Sequence, residues 1–123
     1  MSRTCYIAAP YAGDVDENVR RACALGALAM REGRAPIVVH PAIAGGVYGR
    51  DEVPMERDGG RLATIAVQRM VQADGGELWV LLRDDGTMSP GTAAEVADWR
   101  ALPGARAPRW FRWVDGEPVE VER

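Results

Sequence analysis

Short apolar runs alternate with longer amphipathic ones along this chain. "TCYIAAP" (4–10) is a compact apolar run stopped by proline, the pattern of a buried strand. "DVDENVRRACALGALAMREG" (14–33) carries apolar residues at helical spacing, with Val15, Val19, Cys23, Ala27 and Met30 on one stripe. Asp14 or Asp16 caps its start and Gly33 stops it. "APIVVHP" (35–41) predicts a second buried strand, and "AIAGGVYGRDEVPMERDGG" (42–60) reads as a Gly-rich loop too long to be only a connection. Leu62, Ile65, Ala66 and Met70 define a helix over about 59–73, and "ELWVLL" (77–82) a third strand. Ser89-Pro90, an N-cap acceptor before a proline, opens a helix that runs to about 101. "APRWFRWV" (107–114) is a fourth strand; Asp115-Gly116 then turns the chain into "PVEVE" (118–122), a half-exposed edge strand.

Strands alternating with helices predict an α/β domain over residues 1–123, a flavodoxin-like or Rossmann-like three-layer sandwich around a mainly parallel five-stranded sheet. Ligands of such sheets sit beyond the carboxyl ends of the strands. Pro10, Tyr11 and Gly13 after the first strand, His40 after the second, and Asp84 to Ser89 after the third fall there.

Composition narrows the chemistry. A content of 47% hydrophobic and 27% charged residues is that of a soluble globular protein. No run reaches the roughly 18 apolar residues of a membrane span, and the start is not a secretory signal, so a cytoplasmic location is expected. Cys5 and Cys23 lie in apolar segments without metal spacing and read as reduced, buried thiols. All 15 basic residues are arginine, but they are scattered and the net charge is −3, which argues against nucleic-acid binding and leaves room for one anionic small-molecule pocket. No G-x-G-x-x-G follows the first strand, there is no phosphate-binding Walker loop, and the serine is not in a nucleophile elbow. One histidine and no paired acidic motif leave no metal site, and no organic cofactor is implied.

"TMSPGTAAEVADW" (87–99) stands out. Thr92, Val96 and Trp99 recur at i, i+4 and i+7 and mark the buried face of its helix. Glu95 lies on or beside that face, yet its neighbours one turn away are Gly91, Thr92, Asp98 and Trp99, none of them a cation. Helical side chains lean toward the N-terminus, so Glu95 looks back toward the crevice. Geometry alone leaves two readings open: a glutamate at the rim of the packed face, or a working carboxylate.

"YIAAPYAGDVDENVRRA", "PIVVHP", "VPMERDGG", "GELWVLL" and "SPGTAAEVADW", in that order over roughly residues 4–113, resemble the nucleoside 2-deoxyribosyltransferase superfamily, and within it an uncharacterised phage and bacterial branch. The resemblance implies that Glu95 attacks the anomeric carbon of a sugar and displaces its base, and that Tyr6 holds Glu95. Ser89, six residues before, matches the phosphate-binding serine of the branch that hydrolyses deoxynucleoside 5′-monophosphates. Gly91, Pro10, Tyr11, Gly13, His40, Asp84 and Arg57 are further substrate-binding candidates. The chain departs from the pattern where those hydrolases place an aspartate to assist the leaving base, because the matching position is Ala66. Glu56, Asp58, Asp84 and Asp85 are the nearby acids.

The expected activity is therefore N-glycosidic cleavage of a nucleoside or its 5′-monophosphate through a glycosyl-Glu95 intermediate. The alternatives are a nucleotide-binding module that senses its ligand without chemistry, and a transferase moving deoxyribose between bases. The expected partners are the small molecule and further copies of the chain. A homodimer or larger oligomer would bury aromatics among Trp99, Trp110, Phe111 and Trp113.

Overall fold

The computed structural model describes residues 4–46 and 54–123; the side chains of Pro54, Glu56, Arg57 and Asp58 lie outside the description. The elements in chain order are β1 (Thr4–Ala8), α1 (Val15–Arg31), β2 (Ala35–Ile37), α2 (His40–Ala44), α3 (Pro54–Ala73), β3 (Glu77–Leu81), α4 (Pro90–Arg100), β4 (Arg109–Val114) and β5 (Glu117–Val121). They form one five-stranded sheet of order β2-β1-β3-β4-β5, parallel through β4 and closed by an antiparallel β5. Asp115 and Gly116 both take positive φ, 50° and 83°, as a tight two-residue hairpin turn requires. Among the described residues, no helix is long and apolar enough to cross a membrane.

Strand alternation divides the core in two. Cys5, Ile7, Trp79, Leu81 and Phe111 face α1 and pack on its Ala22, Leu25 and Ala29. Tyr6, Ala8, Leu78, Val80 and Trp110 face the other way, against Val71 of α3 and Val96 and Trp99 of α4. Each fully buried large side chain contributes about 1.5–3 kcal/mol relative to exposure.

Both helix starts form as the sequence predicts: Asp14 accepts the Glu17 amide, and Ser89 accepts that of Thr92 at 3.1 Å. The buried faces differ. On α1 the packed residues are Ala22, Leu25, Gly26 and Ala29, whereas Cys23, Ala27 and Met30 are exposed. Small residues win because the helix approaches β2 and the residue after it closely: a Cβ on Gly26 would stand 2.8 Å from Val38 Cγ2 and 3.6 Å from Pro36 Cβ. Cys23 is therefore an exposed thiol, and only Cys5 is buried as expected. Burial pushes the Cys5 thiol up to about 12, with nearby Glu77 adding to the effect.

On α3 the inward face is Thr64, Gln68 and Val71, while Leu62, Ala66 and Met70 point outward. The predicted apolar stripe is thus the outer face, and the inner one is polar because it meets α4 beside the site. Helical structure also claims both ends of the expected 42–60 loop: α2 opens at His40 with Pro41 in its first turn and α3 opens at Pro54, positions where a missing N–H costs no hydrogen bond. Residues 47–53 lie outside the described residues. The second strand is correspondingly short and ends at Ile37.

The expected aromatic patch is absent from the surface. Trp99 and Phe111 are fully buried and Trp110 nearly so. Trp113 is half-buried under the guanidinium groups of Arg20 and Arg21, 5.7 and 5.0 Å from its ring. Helix α4 and the opposite helix α1 cover most of the aromatic faces.

Candidate active site

From β1 the chain runs outward to β2 and then returns to the other side at β3. Connections leave the sheet in opposite directions there, which opens a crevice beyond the strand ends. A cavity of about 430 Å³ occupies it, a size that suits a small organic ligand. Its described walls are Ala9, Pro10, Tyr11 and Ala12 after β1; Val39, His40 and Ile43 around α2; Gly60, Arg61 and Thr64 on α3; Arg83 after β3; and Ser89, Pro90, Gly91, Ala94 and Glu95 on α4.

Glu95 is half-buried in this wall. Its partner comes from the sheet: the Tyr6 hydroxyl donates to Glu95 Oε2. Burial pushes the Glu95 carboxyl up to about 7; the Tyr6 hydrogen bond opposes that rise and the negative charge of Asp98 adds to it. Gln68, fully buried, donates from Nε2 to the Glu95 carbonyl at 3.3 Å and ties α3 to α4 at this residue. One turn on, Asp98 Oδ1 pairs with Arg61 Nη2 at 3.0 Å, and its Oδ2 is buried without a described hydrogen-bond partner.

His40 is almost wholly buried at the first turn of α2. Its Nε2 meets the Ala9 carbonyl at 2.9 Å, which places the proton on Nε2 and leaves Nδ1 as a lone pair. Burial lowers its pKa, so the ring is neutral at physiological pH.

Of the residues the sequence singled out, the structure brings Glu95, Tyr6, Ser89, Gly91, Pro10, Tyr11 and His40 together. Gly13 is not in the cavity wall; it takes φ 101° in the exposed turn ahead of α1. Asp84 is also displaced. It borders a neighbouring cavity of about 200 Å³, where its exposed carboxylate pairs with Arg21 at 2.9 Å. The side chain of Arg57 lies outside the described residues. Ala66, the position matching the assisting aspartate, sits on the exposed face of α3 and not in the cavity wall. Sequence reasoning missed Arg61 and Thr64. Their signal was the polar i, i+3 spacing on α3, overshadowed by the apolar stripe on its outer face. Among the described residues no group of three or more His, Cys, Asp or Glu side chains is placed to hold a metal ion.

A carboxylate that titrates near neutrality, held by a phenol in a walled cavity, is equipped to attack an electrophilic carbon. The positive end of α4 lies at the same cavity; Pro90 has no N–H and Ser89 takes that of Thr92, so the Gly91 N–H and the helix dipole are what it offers to an anion. The family profile of a domain of unknown function (DUF7768) matches residues 3–103, and the chain belongs to that family. Neither curated proteins nor solved structures gave a match.

Proposed function

We propose that this DUF7768 member cleaves the N-glycosidic bond of a nucleoside 5′-monophosphate or nucleoside through a covalent glycosyl-Glu95 intermediate. The observation that carries the proposal is Glu95 itself: a carboxylate in the wall of a sugar-sized cavity, oriented by Tyr6, with no cation holding it among the described residues. A Glu95 oxygen bonds to the anomeric carbon as the C–N bond breaks and its electron pair leaves with the base. Water then opens the glycosyl ester, restoring the carboxylate and releasing the sugar. Ser89, the α4 N-terminus and exposed Arg83 form the end of the cavity suited to a 5′-phosphate.

The strand order 2-1-3-4-5 supports reading the fold as flavodoxin-like, with β5 reversed. We also propose a cytoplasmic protein that self-associates. Met55, Leu62 and Met70, exposed on α3, replace the aromatics as the apolar surface available to a second copy. A monomer mass by light scattering at micromolar concentration would overturn that part.

A competing reading, a nucleotide-binding module without chemistry, draws on one observation: the position of the assisting acid, Ala66, faces solvent. Incubation with a panel of nucleosides and 5′-monophosphates separates the two. Free base accumulating by chromatography supports the glycosidase; tight binding by calorimetry with no free base supports the sensor.

A further inference from the structure

The order of groups along α4 gives the cavity a direction. At 1.5 Å rise per residue, Glu95 stands about 9 Å beyond Ser89, and Asp98 a further 4.5 Å or so. Asp98 holds the guanidinium of Arg61, which lines the same cavity. With the phosphate at Ser89 and the anomeric carbon at Glu95, Arg61 lines the cavity from α3 at the level of Asp98, the end away from the phosphate, and a base leaving across the anomeric carbon from Glu95 comes within reach of that wall. Arg61 stands one turn before Thr64 on the cavity side of α3, at the rim, whereas Ala66 faces out.

We propose that Arg61 is the group that stabilises the leaving base, and that the substrates are therefore nucleotides whose base departs as an oxo-stabilised anion. The proposal rests on the glycosidase reading. Arg61 has five N–H donors and Asp98 fixes one of its terminal nitrogens, so the fork is positioned before the ligand arrives. A guanidinium does not release a proton near neutrality, so it does not act as a general acid. It stabilises negative charge where that charge develops.

As Glu95 bonds to the anomeric carbon, the C–N electron pair moves onto the ring nitrogen and is shared with the ring carbonyl oxygens. Arg61 donates N–H bonds to those oxygens, and the freed base later takes its proton from water. Uracil, thymine and hypoxanthine can carry the charge in this way. Adenine departs well only after ring protonation, which Arg61 cannot supply.

The test measures base release from the 5′-monophosphates of uracil, 5-fluorouracil, hypoxanthine and adenine nucleosides by wild type, Arg61→Gln and Arg61→Lys. Arg61 is 57% exposed, so neither substitution disturbs the core. Wild type should favour uracil and hypoxanthine over adenine at least roughly tenfold. Arg61→Gln should lose on the order of 10²-fold in kcat/KM on the uracil substrate. Its loss should be several-fold smaller with 5-fluorouracil, a better anion in its own right, and Arg61→Lys should recover part of the activity. Equal losses on uracil and 5-fluorouracil, or a wild-type preference for adenine, overturns the role of Arg61 while the glycosidase reading stands. Absence of base release from every substrate sinks both.

Discussion

Glu77 and Glu95 are both drawn into the protein, at opposite ends of the sheet and in opposite company. Glu77, at the entry to β3, is ringed by Arg34 at 3.0 Å, Arg109 at 3.3 Å and Arg106 at 3.6 Å, and accepts the Trp79 indole N–H at 2.9 Å. Arg109 also pairs with Glu32 and Glu120 and lies over the Trp79 ring. Charge there is matched by charge, and the result is a clasp joining α1, β3, β4 and β5. Glu95 has a neutral phenol as its hydrogen-bond partner and an acid one turn away. A carboxylate kept in that state lowers stability when ionised, and under the proposed function that cost is what leaves it able to react with a bound sugar. The contrast separates a glutamate that holds the fold from one that the fold holds ready.

The comparison breaks most sharply by exchanging charge for amide at each position. Glu95→Gln should lower base release by at least about 10³-fold, because the nucleophile is gone while shape is kept. Retention of more than about a tenth of the wild-type rate would end the covalent role. The same variant should be more stable than wild type at pH 8, where the native carboxylate is ionised. A raised folded-state pKa contributes stability that is fully present below the unfolded value near 4.5 and is lost as pH rises through about 7. Glu77→Gln should do the reverse, costing about 2–3 kcal/mol by leaving arginines without their carboxylate and leaving base release from the folded protein nearly unchanged. Denaturant melts of the two variants check both signs.

Tyr6→Phe sharpens the comparison by removing the hydrogen bond that favours Glu95 ionisation. In the wild type base release should rise with pH through about 7, as the nucleophile ionises. In Tyr6→Phe that limb should move up by about a unit, with the plateau rate down roughly tenfold. A pH–rate profile that stays in place would show that Tyr6 only packs. The smallest effect is expected at Ser89. Ser89→Asp should weaken monophosphate binding several-fold relative to the free nucleoside, because a carboxylate repels phosphate at the helix start. Calorimetry with the two ligands decides this; equal affinities in the wild type would reject a phosphate subsite there.

The sequence disclosed those parts that depend on local chemistry. The Ser89 and Asp14 caps, the Asp115-Gly116 hairpin and the apolar strands β1, β3 and β4 follow from what neighbouring residues do to each other, and they appear close to where predicted, whereas β2 stops at Ile37. The isolation of Glu95 from any cation on its own helix was likewise readable. The inward faces of α1 and α3 were not, because they depend on how closely each helix approaches its neighbours. Gly26 and Ala29 pack on α1 because they are small, and Thr64 and Gln68 point inward on α3 because the cavity and α4 receive them. Arg61 was hidden for the same reason: its partner Asp98 lies 37 positions away.

The two thiols give the molecule an internal clock for its own opening. Cys23 stands on the outer face of α1 and can be blocked with a thiol reagent in the native state. Cys5 is enclosed at the centre of the sheet and stays protonated up to about pH 12, so it reacts only when β1 comes loose. It is also the neighbour of Tyr6 on that strand. After Cys23 is capped, the slow labelling of Cys5 therefore times the excursions in which β1 leaves the sheet, carrying Tyr6 away from Glu95.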